Sequence, residues 1–404
     1  MVTCADLDPR EVACIEPSRV TAVACAGGAP LSHAAILARS LGIPVVTGLG
    51  PALLDLSPGT VVLVDGDAGT VVVAPSPAAV AAAERRRGDD RRRLAESRRR
   101  APVPAVTADG QAIEVLANAA SAGDAAAAVV EGADGVGMLR TELAFLTGDR
   151  PPGEHEQYRV YRAVADALGG RRLVVRTLDL GADIPAWGGA PEPNPALGNR
   201  GLRLALNARH LLDPQLRAVA RLARERPVQL MFPMVTTVDE LRSARACVDE
   251  VAGPGHGIEV GITVEVPAAA LTAGVLAPLV DFLAVGTNDL TQYTLAVDRA
   301  NAAVAPLADG LHPAVLSLVG AVTAAGACHG RPVEVVGELA GDPLAIPVLL
   351  GLGVTTLSVR PNTVAVVKQV VRATRLETAR SLAEAALAAE SAPAVRALVA
   401  AAGT

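Results

Sequence analysis

The residues able to do chemistry in this chain gather at the ends of apolar runs. Arg140-Thr141-Glu142, Arg176 with Asp179, Glu265, Thr287-Asn288-Asp289 and Gly337-Glu338 each close a short stretch rich in Val, Leu and Ile. Asn118 closes another, and Arg200 and Arg299 follow in loops after the third and sixth stretches. A charge there is costly unless it meets a ligand or a counter-charge. Glu265 and Asp289 are hard oxygen donors of the kind Mg²⁺ takes in ones and twos, its other positions going to water and substrate. The forks of Arg140, Arg176, Arg200 and Arg299 suit carboxylate and phosphate, which they grip through paired hydrogen bonds.

The elements that must position these residues repeat strand, polar loop and amphipathic helix from Ala101 onward. The expected strands are 114–118, 135–140, 173–179, 229–235, 258–266, 282–287, 333–337 and 355–359. Eight such units in about 300 residues are the count and length of a (β/α)8 barrel, whose active site lies where strands end. The charged residues then converge on one mouth. A small ligand bearing both phosphate and carboxylate, chelated by Mg²⁺, would use every part of it, and phosphoenolpyruvate is such a ligand. Any single arginine is as well explained by a structural ion pair; four at one barrel end are not.

Ahead of the barrel, residues 1–78 read as a small αβ domain, with Val61–Val64 and Val71–Val73 forming a hairpin about Asp65-Gly66-Asp67-Ala68-Gly69. The C-terminal "ARSLAEAALAAESAPAVRALVAAAG" is surplus helix outside the barrel. The small domain holds "GGAPLSHAAILARS", in which His33 stands without a cysteine, a carboxylate or a second histidine beside it. Residues 79–101 are an arginine-rich helical linker. Its nine arginines between Arg85 and Arg100 are interleaved with Glu84, Asp89, Asp90 and Glu96, and no aromatic residue is present to stack on bases. A solvated helix accounts for that better than a nucleic-acid surface.

Bulk composition narrows the classes. The net charge of −6 gives no pull toward nucleic acid or anionic membrane. Cys4, Cys14, Cys25, Cys247 and Cys328 form no CxxC pair, so neither a zinc site nor a disulfide framework is indicated. With no signal-peptide pattern and no long uncharged apolar run, a cytoplasmic protein is expected.

The segments "GADGVGMLRTELAFL", "VVRTLDLGAD", "NPALGNRGLRLAL", "MFPMVTTVDELR", "IEVGITVEVPAAA", "VDFLAVGTNDLTQYTLAVDRAN" and "GELAGD" together resemble phosphoenolpyruvate–protein phosphotransferase, Enzyme I of the bacterial sugar phosphotransferase system. The likeness is collinear over nearly the whole chain. It implies Mg²⁺ ligation by Glu265 and Asp289, and phosphate and carboxylate binding by Arg140, Arg176, Arg200 and Arg299, with Asn288 a phosphate contact. It implies that residues 1–78 are the mobile phosphohistidine domain, 79–101 the linker and 102–404 the barrel. His33 is then the phosphorylated residue. A neutral imidazole is nucleophilic near pH 7, and a helix starting at Ser32 would offer free N–H donors to the phosphoryl oxygens. The phosphate would pass to a histidine phosphocarrier protein, and the barrel would form a homodimer.

Three departures qualify the resemblance. Val336 stands where the family has the cysteine that protonates the enolate, and Cys328 is too far back to replace it. The chain opens inside the phosphohistidine domain, so the family's first strand and its helical carrier-docking domain are expected to be missing. Smaller differences are an extra residue between Gly28 and Ser32, Ile184 in place of the family's lysine, and Thr263 two residues before Glu265. Val336 and the short start leave open a catalytically impaired relative that binds phosphoenolpyruvate as a sensor or scaffold. A fragment of a pyruvate phosphate dikinase or phosphoenolpyruvate synthase is disfavoured, because the chain has no room for an ATP-binding domain.

Overall fold

The computed structural model describes all residues except 9–10, 13–14, 17–18, 29–33, 36–37, 39–41, 67, 147–149, 180–191, 254, 300, 302 and 403–404. His33, Ser32 and Ile184 therefore lie outside the described residues. The chain forms two units, Met1–Glu96 with Leu295–Asp309, and Ser97–Thr294 with Gly310–Thr404.

In the first unit β1 (Val2–Cys4), β2 (Val23–Cys25) and β3 (Val45–Val46) form a parallel sheet in that order. Its core is Val12, Val23, Cys25, Ala34, Ala35, Ala38, Ile43 and Val45. The hairpin expected from the valine runs is present, with β4 (Val62–Asp65) antiparallel to β5 (Thr70–Val73). The arginine-rich stretch is one helix, Pro77–Arg100, and most of its side chains are solvated.

In the second unit β6 (Ala105–Val106) runs antiparallel to β7 (Ala112–Ala119). The strands β7, β8 (Gly135–Leu139), β9 (Arg172–Arg176), β10 (Gln229–Phe232), β11 (Glu259–Val264), β12 (Phe282–Gly286), β13 (Val333–Val336) and β14 (Thr356–Val359) pair parallel in sequence order. Pairing of β14 with β7 closes the barrel. Parallel strands buried on both faces need continuous apolar runs, which is why Val, Leu and Ile fill them. Met138, Val174, Met231, Phe282, Ala284 and Val336 form an apolar cluster inside this barrel unit. Side-chain caps start several of the flanking helices. Thr237 accepts from the Glu240 amide while Glu240 reaches back to the Thr237 amide. The surplus C-terminal helix is two helices, Leu376–Leu387 and Ala392–Ala402.

The ladders stop short of the C-terminal limits expected from sequence at six strands. Arg140, 177–179, 233–235, 265–266, Thr287 and Gly337 belong to the connections instead. The chain turns there to aim polar groups: Met234 and Gly337 adopt φ of 60° and 114°, and Thr287 already starts a helix.

The only lysine of the chain is fully buried. Lys368 Nζ donates to Asp134 Oδ1 at 2.7 Å and to Ala101 O at 3.2 Å, just past the helix Pro77–Arg100. Arg372 Nη2 donates to Arg100 O at 3.0 Å, so two cations meet the carbonyls at that helix C-terminus. Breaking a buried ion pair from one side costs about 3 kcal/mol. Lys368→Met is expected to lower stability by that order in thermal unfolding. Asp124→Asn, in the first turn of the helix Ala122–Val130, stays within about 1 kcal/mol.

Candidate active site

The C-terminal ends of β8 to β12 feed one charged cluster. Arg176, the last residue of β9, donates from Nη2 to Glu142 Oε1 at 2.9 Å, and its Nη1 lies 3.4 Å from Asp179 Oδ2. Glu142 opens the helix Glu142–Leu146 after β8 and also accepts from the Asp179 amide at 3.0 Å. Arg200 stands at the start of the helix Gly201–Asn207 and is 3 % exposed. Its Nη2 lies 2.9 Å from Asp179 Oδ2 and its Nη1 3.1 Å from Asp289 Oδ1. Arg200 Nη1 also donates to the Tyr293 hydroxyl at 3.2 Å, and that hydroxyl donates to Ala196 O. Asp179 is the hinge-pin of the cluster, shared by two guanidiniums.

Glu265 follows β11, is 2 % exposed, and accepts from the Met234 amide at 2.8 Å. Burial, with the charges of Asp289 and Asp179, pushes its carboxyl up to about 8 against the opposing pull of Arg176 and Arg200. The guanidiniums answer in kind. Burial by itself would lower both, but Glu142, Asp179 and Glu265 hold Arg176, and Asp179 and Asp289 hold Arg200, above the ordinary arginine range. The Nε–H of Arg176 is buried with no hydrogen-bond partner among the described residues. Buried donors of this kind are usually completed by a water, an ion or a ligand.

Two glycines keep this space open. A Cβ on Gly286 would lie 2.5 Å from Glu265 Oε2, and one on Gly337 would lie 2.4 Å from Thr287 Oγ1. Thr287 donates to Val336 O at 2.9 Å, and Asn288 Oδ1 accepts from the Glu338 amide at 3.0 Å, tying the ends of β12 and β13 together.

Of the residues expected from sequence, Arg176, Arg200, Glu265 and Asp289 belong to one cluster. Asn288 adjoins Asp289 at the start of its helix. Arg140 leaves β8 with its amide bonded to Ala119 O at 2.8 Å, which puts it at the same barrel end. Arg299 falls in the segment Leu295–Asp309, which groups with the first unit. Val336 is 3 % exposed and packs in the apolar barrel cluster. Tyr293 was not legible as a site residue, although it sits one helical turn after Asp289, where i and i+4 share a face. Arg360 was also missed. It follows β14, with Nη2 3.6 Å from Glu338 Oε2, and its position directly after an apolar run was the available signal.

No three His, Cys, Asp or Glu residues form a metal cage among the described residues. The donor set does fit a hard divalent cation: Glu265 and Asp289 are carboxylates, and burial together with the negative charge around it holds Glu265 near neutrality. Mg²⁺ is satisfied by one or two protein carboxylates when substrate and water complete its shell.

The family pattern described as the PEP-binding domain of PEP-utilising enzymes matches residues 94–376, and that of their mobile domain matches residues 1–69. Over 400 residues the chain is 45% identical to a multiphosphoryl transfer protein of Rhodobacter capsulatus, covering 97% of this chain and 48% of that protein. It is 40% identical to a phosphoenolpyruvate-protein phosphotransferase of Haloferax volcanii, over 95% of this chain and 69% of the relative. With that of Staphylococcus carnosus the identity is 36%, over 95% and 68%. The chain thus spans about half the length of the multiphosphoryl transfer proteins it matches. Barrel, charged mouth and both family patterns agree, and the chain belongs to the PEP-utilising enzymes.

Proposed function

We propose that this protein transfers the phosphoryl group of phosphoenolpyruvate to His33, yielding pyruvate. The observation that carries this reading is the buried guanidinium–carboxylate cluster at the barrel mouth, with an Arg176 N–H that has no partner among the described residues and a carboxyl at Glu265 kept near neutrality. Arg176 and Arg200, with Arg140 and Arg299, hold the phosphate and carboxylate of the substrate. Asn288 adds an amide contact. Glu265 and Asp289 hold Mg²⁺, which neutralises phosphate charge when bound. A neutral imidazole nitrogen of His33 attacks phosphorus, and the bond from phosphorus to the enol oxygen breaks. The enolate so released takes a proton at C3 and becomes pyruvate. Such transfers depend on positioning and charge neutralisation, which fixed guanidiniums supply.

In this reading residues 1–78 are the mobile phosphohistidine domain, 79–101 its linker and 102–404 the phosphoenolpyruvate-binding barrel. The phosphoryl group passes on to a histidine phosphocarrier protein, and the barrel pairs as a homodimer. The proposed place of action is the cytoplasm; no described helix is long and apolar enough to cross a membrane. The test is incubation with labelled phosphoenolpyruvate and Mg²⁺. Acid-labile label is expected on the wild type and absent from His33→Ala, and an unlabelled wild type overturns the reading. Retained phosphoenolpyruvate binding without label would instead support the sensor or scaffold suggested by Val336.

Val336 sets a second expectation. Valine has no proton to give, so the enolate takes its C3 proton from water and labelled substrate gives pyruvate with C3 randomised. Val336→Cys, a small change in volume, is expected to yield one configuration in excess. Stereospecific pyruvate from the wild type would contradict this.

A further inference from the structure

Beneath the charged cluster lies a fully buried polar chain that the proposed chemistry leaves unused. Gln215, on the helix Arg209–Ala223, has no exposed surface. Its Oε1 accepts from the Leu178 amide at 2.9 Å. Its Nε2 donates to Thr141 Oγ1 at 3.1 Å and to the Tyr161 hydroxyl at 2.9 Å. Thr141 Oγ1 in turn donates to Arg176 O at 3.0 Å, and Tyr161 donates to Gln157 Oε1 at 2.8 Å. One amide thereby joins the connection after β8, which carries Arg140 and Glu142, to the connection after β9, which carries Asp179. Leu178 and Asp179 are neighbours in sequence, so the bond to the Leu178 amide sets where the shared carboxylate of the cluster stands.

A buried glutamine is costly to place unless each of its polar atoms is satisfied, and here both are. Apolar packing alone would be met by leucine at this position. The amide is needed to hold two neighbouring loops in fixed register, and a misplacement near 1 Å at such a site costs on the order of a hundredfold in rate.

We propose that Gln215 is a positioning residue, clamping the ends of β8 and β9 together so that Glu142, Arg176 and Asp179 keep the spacing that grips the anionic substrate. The proposal rests on the reading of the mouth as a phosphoenolpyruvate site, and its test separates the two.

Four forms of the full chain are compared: wild type, Gln215→Leu, the near-isosteric Thr141→Val, and Tyr161→Phe. The last loses one buried hydroxyl yet keeps the bonds of Gln215 to Leu178 and Thr141. Two quantities are read, the phosphoenolpyruvate dependence of His33 labelling and the hydrogen exchange of the Asp179 amide, which is bonded to Glu142 and not to Gln215. Gln215→Leu is expected to raise the half-saturating phosphoenolpyruvate concentration and the Asp179 exchange rate each by about tenfold or more. Thr141→Val should shift both in the same direction by a smaller factor, and serves if Gln215→Leu does not fold. Tyr161→Phe should leave both within about twofold despite a lower melting temperature, which a merely structural role would not allow. Unchanged Asp179 exchange in Gln215→Leu and Thr141→Val overturns the proposal, as does an equal effect from Tyr161→Phe. Should the wild type take no label, the proposed function fails and the exchange measurement alone decides the role of Gln215.

Discussion

Arg200→Met is expected to reduce labelling of His33 by at least about a hundredfold and to lower stability by about 3–5 kcal/mol. The guanidinium stands between Asp179 and Asp289, whose side chains are 4% and 9% exposed. Removing it leaves both carboxylates buried, with Glu265 beside them already raised toward neutrality by burial and by their charge. Arg176 remains, but it also serves Glu142 at 2.9 Å. With less positive charge to meet them, the carboxylates then take up protons or open the site to water, and either change weakens the hold on a phosphate. Arg200→Lys separates charge from geometry. A lysine restores the positive charge without the fork that spans Asp179 and Asp289. It should recover most of the melting temperature and less than about a tenth of the labelling rate. Full recovery of labelling by lysine would show that charge alone is sufficient, contrary to the paired geometry seen here.

Glu334→Gln is expected to remove a pH dependence of stability that the wild type carries between about pH 5 and 9. Glu334 lies on β13 and is 2 % exposed. Arg172 Nη2 approaches its Oε2 at 3.3 Å, but Arg172 Nη1 is closer to Glu114, at 2.6 Å. The Ser358 hydroxyl, which donates to Asn118 Oδ1 at 2.7 Å, also favours the ionised form of Glu334. Burial, aided by the charge of Glu114, outweighs Arg172 and the Ser358 hydroxyl and pushes the carboxyl from 4.5 up to about 8. The unfolded chain releases this proton near 4.5, the folded chain near 8. The group therefore contributes its full stability below about 4.5 and loses it progressively as pH climbs through 8. Each tenfold change in proton affinity between the folded and unfolded chain is worth about 1.4 kcal/mol, so the loss at high pH is on the order of several kcal/mol. Denaturant unfolding of wild type and variant at several pH values checks this. The difference between the two curves removes all other titrations, Glu265 included. It should be small near pH 5 and favour the variant increasingly toward about pH 9. A difference that does not vary with pH would mean Glu334 is ionised throughout.

The two predictions draw on different kinds of legibility. Arg200 was visible in the sequence, because its motif "NPALGNRGLRLAL" and its place after the third apolar run both mark it. Glu334 was not. In "RPVEVVGELAGD" it reads as one polar residue in a strand, and alternation alone does not say whether that face turns outward or into a closed barrel. The pairing of β14 with β7 decides it, and the burial of Glu334 follows.

By itself, the sequence determined the eight strands, the hairpin and the arginine-rich helix, because continuous β-branched runs, turn residues and charge periodicity are local properties. It also determined which residue types reach the barrel mouth, since strand ends are adjacent to their loops along the chain. Only the tertiary structure decided the pairing. Asp179 meets Arg200 across 21 positions and Arg200 meets Asp289 across 89. Gln215 reaches Thr141 across 74. No local pattern records which distant charge a side chain will face. That is settled when the ladder closes, and with it the protonation of Glu265 and Glu334, because burial and the nearest counter-charge are properties of the folded barrel.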